Sequence, residues 1–190
     1  METIRCFLAI PVKDDKIITK VKELQEKLSS SGADIKIVEK ENIHYNLKFF
    51  GEKTKDEVNK IISAIENVLG SKRQFEIEVW GLGTFPAKDF VRVVWLGIKK
   101  GEKEMVSLAQ ELENSFSAIG IEKEIRPFQA HLTLCRVRSV DGIESLKNVV
   151  NKESSTDVSK MLVNEVVLYQ SILKKEGPEY IEIKRFRLLK

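Results

Sequence analysis

Two stretches decide how this chain is read: His44-Tyr45-Asn46-Leu47-Lys48-Phe49-Phe50-Gly51 and His131-Leu132-Thr133-Leu134-Cys135-Arg136. Each opens on one of the two histidines in the sequence and continues with apolar residues at alternate positions, the mark of a strand with one polar and one apolar face. Period-two counting puts His44 and Asn46 on one face, with Tyr45, Leu47 and Phe49 on the other. In the second stretch His131 and Thr133 point together, away from Leu132 and Leu134. Arg136 falls on the face opposite His131 and reaches the histidine side only if a bulge re-aims it. Lys48 shares the parity of His44, which places it along a ligand groove or in solvent.

Outward from these strands the periodicity alternates. Residues 3–10 are rich in apolar and β-branched side chains and stop at Pro11, an opening strand. Asp14 or Asp15 then caps a helix whose apolar positions Ile17, Val21, Leu24 and Leu28 recur at three- and four-residue spacing. A short strand is expected over 35–38, a second helix from Thr54, and a strand over 75–80. The run Gly81-Leu82-Gly83-Thr84-Phe85-Pro86 reads as a turn, since it lacks the strand-to-helix setting of a nucleotide loop. A strand over 91–98 begins the second half. It is followed by a helix over 102–118, the His131 strand over 130–137, a helix capped by Asp141, and two long strands over 158–169 and 180–188. The order strand, helix, strands, helix, strand thus occurs roughly twice. It predicts a pseudo-symmetric α+β fold, two mainly antiparallel sheets flanked by helices around a central cleft, with residues 1–190 forming one bilobed domain.

Composition narrows the functional classes. Basic residues number 32 and acidic residues 29, a net charge of +3, far from the one-sided balance of a protein that coats nucleic acid. No apolar run approaches a membrane span, and the first fifteen residues meet Pro11 and acids instead of a cleavage site, so a cytoplasmic location is expected. Cys6 and Cys135 show no CxxC spacing and read as buried thiols.

Two histidines in matching frames fit acid–base chemistry. An imidazole titrates near neutrality, so one can hold a proton while the other lacks it, as in-line displacement at phosphorus requires. Asn46 and Thr133 beside them can donate to phosphate oxygens. Two histidines without a carboxylate or thiolate cluster make a poor metal-ligand set, and no metal or cofactor is expected. Phe128, Tyr45 and Phe50 are candidates for stacking on a base, with Phe128 foremost.

These residues resemble the 2H phosphoesterase superfamily, and within it the RNA 2′,3′-cyclic phosphodiesterases, also called 2′-5′ RNA ligases, which carry two His-x-Thr-x motifs. The resemblance extends over Arg5-Cys6-Phe7-Leu8-Ala9-Ile10-Pro11, residues 44–52, Gly83-Thr84-Phe85-Pro86, Arg92-Val93-Val94-Trp95, Arg126-Pro127-Phe128, and Tyr169-Gln170-Ser171 with Gly177 and Tyr180. It implies ATP- and metal-independent opening of a terminal 2′,3′-cyclic phosphate to a 2′-phosphate. His44 would be the proton donor and His131 the acceptor, with Asn46, Thr133 and Arg136 holding the phosphate. Asn46 stands where the motif has Thr, so an amide replaces a hydroxyl. The implied partner is RNA with a cyclic phosphate end, tRNA fragments among the candidates, acted on by a monomer with no membrane involved. Two alternatives stay open: an RNA-binding module with weakened catalysis, and a phosphodiesterase of small cyclic nucleotides.

Overall fold

The computed structural model of the chain describes residues 2–86, 90–175 and 177–190. Its elements in order are β1 (Thr3–Pro11), α1 (Asp15–Ser29), β2 (Ile35–Ile37), a 3₁₀ turn (Lys40–Asn42), β3 (His44–Thr54), α2 (Lys55–Leu69), β4 (Phe75–Phe85) and β5 (Val93–Lys100). They continue with α3 (Glu102–Ala118), β6 (Leu132–Val137), α4 (Ile143–Lys152), β7 (Asp157–Val163), β8 (Glu165–Leu173) and β9 (Pro178–Arg187). Helix starts follow side-chain chemistry. The Asp14 carboxylate accepts from the Lys16 and Ile17 amides at 3.0 and 3.1 Å, and Thr54 forms a reciprocal capping box with Glu57. Asp141 does not cap α4; that place is held by Gly142, and the Asp141 carboxylate accepts instead from the Ser139 hydroxyl at 3.1 Å.

The strands hydrogen-bond in the order β7-β4-β5-β6-β3-β1-β8-β9, with β2 on β6. They form one antiparallel nine-stranded sheet where two were expected. Its midline explains the difference: among the described residues β3 and β6 are joined through a single pair, Tyr45 opposite Leu132. The expected two sheets are the halves β3-β1-β8-β9 and β6-β5-β4-β7, joined at that seam. The span read as one strand over 158–169 is broken at Asn164, where the chain leaves one sheet edge (β7) and crosses to β8 beside β1.

One further expectation fails, at two glycines. The Gly81–Pro86 run is not a turn: β4 continues to Phe85, slipping register between Trp80 and Leu82. Gly81 sits there at φ +70°, where an added Cβ would lie 2.6 Å from the Ser154 carbonyl oxygen. Gly83 lies opposite Trp95, whose ring occupies the space its missing side chain leaves, 2.4 Å from where a Cβ would be. These glycines serve a bulge and a close ring contact inside a strand.

Helices cross between the halves. α1, which connects β1 to β2, packs on β6, β7 and α4, while α3, which connects β5 to β6, packs on α2, β3 and β5. Gln25 of α1, buried, donates to the Val38 and Leu134 carbonyls at 2.9 and 3.0 Å and so ties the helix to β6, the strand that His131 leads into. The apolar faces of the helices and the inward residues of β1, β3 and β6 form one core cluster, leaving the opposite sheet face free for a site.

Candidate active site

The seam sets the site. Tyr45 and Leu132, both fully buried, pair in antiparallel sense, which puts His44 on the Thr133 side and Asn46 on the His131 side. All four line one cleft of about 210 Å³, together with Arg136, Phe49 and Tyr180. His131 is the residue immediately before β6, not its first residue.

Both strands carry the same irregularity. On β3, Asn46 lies opposite Ala9 and Lys48 opposite Leu8, so Leu47 is an extra residue. On β6, Thr133 lies opposite Trp95 and Cys135 opposite Val94, so Leu134 is the extra residue. Each bulge reverses the parity that follows it. Arg136 is thereby turned into the cleft, the condition under which it could serve phosphate. Phe49, counted to the apolar back of its strand, stands in the cleft instead and is 56% exposed. The two motifs are therefore matched over six positions, with Phe49 in one half where Arg136 stands in the other.

The bulge also inverts Lys48. It is buried, with its ammonium 2.9 Å from the Glu113 carboxylate, 3.5 Å from that of Glu124 and 2.9 Å from the Glu122 carbonyl. It lies neither in solvent nor along the cleft, and acts as a clip between β3 and the connection ahead of β6. Removing a buried charge that faces three groups leaves them unpaired. Lys48→Met is expected to cost about 2 kcal/mol, seen as a fall in Tm of about 4–8 °C.

Each histidine is oriented by backbone. The Nδ1 atoms of His44 and His131 lie 2.8 Å from the carbonyl oxygens of Asn42 and Gln129, each two residues earlier. A carbonyl can only accept, so each Nδ1 carries the hydrogen and each Nε2 is left for the cleft. The Asn42 amide donates in turn to the Pro178 carbonyl at 3.0 Å, fixing that turn to the start of β9. Phe7 and Tyr180 enclose the His44 ring at 5.2 and 5.5 Å between centroids, and Phe85 meets His131 edge-on at 4.9 Å. Burial pushes the His44 imidazole down to about 4, opposed by its bond to Asn42 and reinforced by the His131 and Arg136 charges. His44 is therefore neutral at pH 7.

Of the stacking candidates, Tyr45 and Phe50 are core residues, and Phe128 packs half-buried against the core outside the cleft lining. Stacking by Phe128 is not what this geometry offers; the exposed cleft aromatic is Phe49. Asn46 does line the cleft, but its Oδ1 is buried without a hydrogen-bond partner. Among the described residues no group of three or more His, Cys, Asp or Glu side chains gathers as a metal site would need.

The family model of the AKAP7 2'5' RNA ligase-like domain matches residues 6–186. The chain belongs to this family. It is 34% identical over 97% of its length to the RNA 2',3'-cyclic phosphodiesterase of Methanothermobacter thermautotrophicus, covering 99% of that protein. It is 35% identical to the protein of the same name from Archaeoglobus fulgidus, over 96% of this chain and 99% of that one. Among solved structures, Escherichia coli LigT complexed with 3'-AMP superposes with a TM-score of 0.82 at 23% identity, covering all of both chains, which shows the shared fold.

The neutral His44 of this 2'5' RNA ligase-like domain has a consequence for stability. An unfolded imidazole takes its proton near its ordinary value of 6.5, the folded one only near 4, so between these values the unfolded state binds more protons. Stability is expected to fall as pH drops from about 6.5 to about 4, by about 3 kcal/mol from this group. Urea unfolding at pH 7 and pH 4.5 checks it: His44→Gln should narrow the gap between the two, and an unchanged gap would contradict the cause. No helix among the described residues of the domain is long and apolar enough to cross a membrane.

Proposed function

We propose that the chain opens 2′,3′-cyclic phosphate ends of RNA to 2′-phosphates without ATP or metal, its 190 residues acting as one bilobed monomeric unit in the cytoplasm. The observation that carries this is the pair of imidazoles, each held through Nδ1 by a carbonyl, with Thr133, Asn46 and Arg136 lining the same cleft. The near full-length relatives named RNA 2',3'-cyclic phosphodiesterase support it.

The reaction moves two protons, and each has a carrier. His131 Nε2 takes a proton from water as its oxygen bonds to phosphorus; the P–O3′ bond breaks on the opposite side, and His44 Nε2 gives its proton to O3′. A 2′-phosphate monoester and a 3′-hydroxyl result. Thr133 Oγ1 and the Asn46 amide donate to the non-bridging oxygens, and Arg136 balances the negative charge that gathers there. One of the influences that keep His44 neutral, the Arg136 charge, is offset by the anionic phosphate, so substrate entry favours the charged donor form. A 5′-hydroxyl in place of water would form a 2′-5′ linkage by the same steps, which makes ligation a second use of one site.

The test is an oligoribonucleotide with a 2′,3′-cyclic phosphate end, incubated with the protein in chelator. The expected product has gained one water and carries a terminal 2′-phosphate. Tight binding without turnover would mark an RNA-binding module, and turnover of cyclic mononucleotides alone would mark a small-nucleotide phosphodiesterase. tRNA fragments with cyclic ends are natural substrates to try.

A further inference from the structure

A second, larger groove of about 970 Å³ opens beside the catalytic cleft. Its floor is Lys48, Phe49 and Phe50 of β3; one wall is the start of α2, and the other is the connection over residues 119–126. Phe49 lines both this groove and the catalytic cleft, so the two are continuous at one exposed aromatic ring. We propose that this groove takes the RNA strand leading to the cyclic end, with Phe49 at the junction as a stacking surface for a base. The inference rests on the cyclic-phosphate reading of the catalytic cleft.

Charge supports the assignment. Of the three acids lining the groove, Glu57 is matched by Lys53 at 3.8 Å and Glu124 by Lys48 at 3.5 Å. Lys60, Lys123 and Arg126 then stand against Glu122 alone, an excess of positive charge along the groove. Lys60 on α2 and Arg126 on the facing wall have no ion-pair partner among the described residues, so both are available to phosphates across the groove. Phosphate contacts of this kind bind a backbone without regard to sequence, and an aromatic face accepts any base. The wall is also fixed. The Glu113 carboxylate accepts from both the Lys48 ammonium at 2.9 Å and the Glu124 amide at 2.6 Å, so residues 122–124 are held to β3 by a buried charge. Ile125, 97% exposed on that wall, adds an apolar surface beside the cations.

A cyclic mononucleotide fills the catalytic cleft and leaves the groove empty, whereas a longer strand occupies both. The experiment compares 2′,3′-cyclic AMP with a ten-nucleotide RNA ending in a 2′,3′-cyclic phosphate, for the natural protein and for the double variant K60Q/R126Q. The natural protein is expected to show a markedly lower KM for the decamer than for the mononucleotide. The double variant should raise the decamer KM by about tenfold and flatten its salt dependence, the slope of log KM against log salt falling by about 1.4 for two lost contacts. Its kcat and KM on the mononucleotide should stay unchanged. Equal KM for the two substrates in the natural protein would overturn the groove, as would equal losses on both in the variant. Turnover of neither substrate by the natural protein would overturn the activity itself and the groove with it.

Discussion

Replacing His131 by Ala lowers kcat on a cyclic-phosphate RNA by about 10³-fold, and replacing His44 lowers it by a similar factor, because each removes one of the two proton carriers. The two losses are expected to separate when the leaving group changes. A donor matters only when the departing oxygen is a poor leaving group, so His44→Ala should recover most of its activity on an aryl phosphodiester that releases a nitrophenolate. His131→Ala should not recover, since water must still lose its proton. The structure makes this comparison necessary: the hydrogen bonding of the two imidazoles is the same, Nδ1 to a carbonyl at 2.8 Å, and a neutral His44 would also suit a base. Recovery by His131→Ala in place of His44→Ala would exchange the two roles, and full activity in either variant on RNA would remove the mechanism.

Arg136→Ala is expected to lower kcat by about 10²-fold, the scale of losing one preorganised charge or donor at a developing anion. Two contributions oppose one another here. Loss of the guanidinium removes a charge that depresses His44, so the His44 imidazole should titrate higher in the variant, which by itself favours a donor. The stabilisation of the phosphate is the larger effect, so the net result is loss. Arg136→Lys keeps the charge without the planar fork and should recover part of it. Steady-state kinetics with NMR titration of the His44 ring would show both changes; a variant with unaltered kcat would place Arg136 outside the phosphate's reach.

That Arg136 faces the cleft at all shows how far the chain could be read in advance. Helix positions were legible because their apolar spacing and caps, Asp14 and Thr54, are local properties. The paired histidine frames were legible for the same reason, since Tyr45 and Leu132 beside them are plainly inward residues. What period-two counting could not supply was the extra residue in each strand. Leu47 and Leu134 carry nothing that distinguishes a bulge from a regular strand position, yet they decide that Lys48 and Cys135 turn inward while Phe49 and Arg136 turn out. A usable signal was the repeat itself: Phe49 and Arg136 both stand five residues after their histidines. Gly83 misled for a different reason, because its partner Trp95 lies twelve residues along the chain and only the sheet brings the ring over it. Phe128 packs against the core because the residues before His131 carry no periodicity that sets which way its ring turns.

The central claim is that His44 and His131 face one phosphate. A crystal structure with a nucleoside 2′-phosphate bound tests it most directly. The phosphate is predicted to lie between the two rings, with an oxygen within about 2.6–3.2 Å of each Nε2 and with Thr133 and Arg136 on its remaining oxygens. A phosphate held away from either imidazole, in the groove over residues 119–126 or elsewhere, would contradict the account.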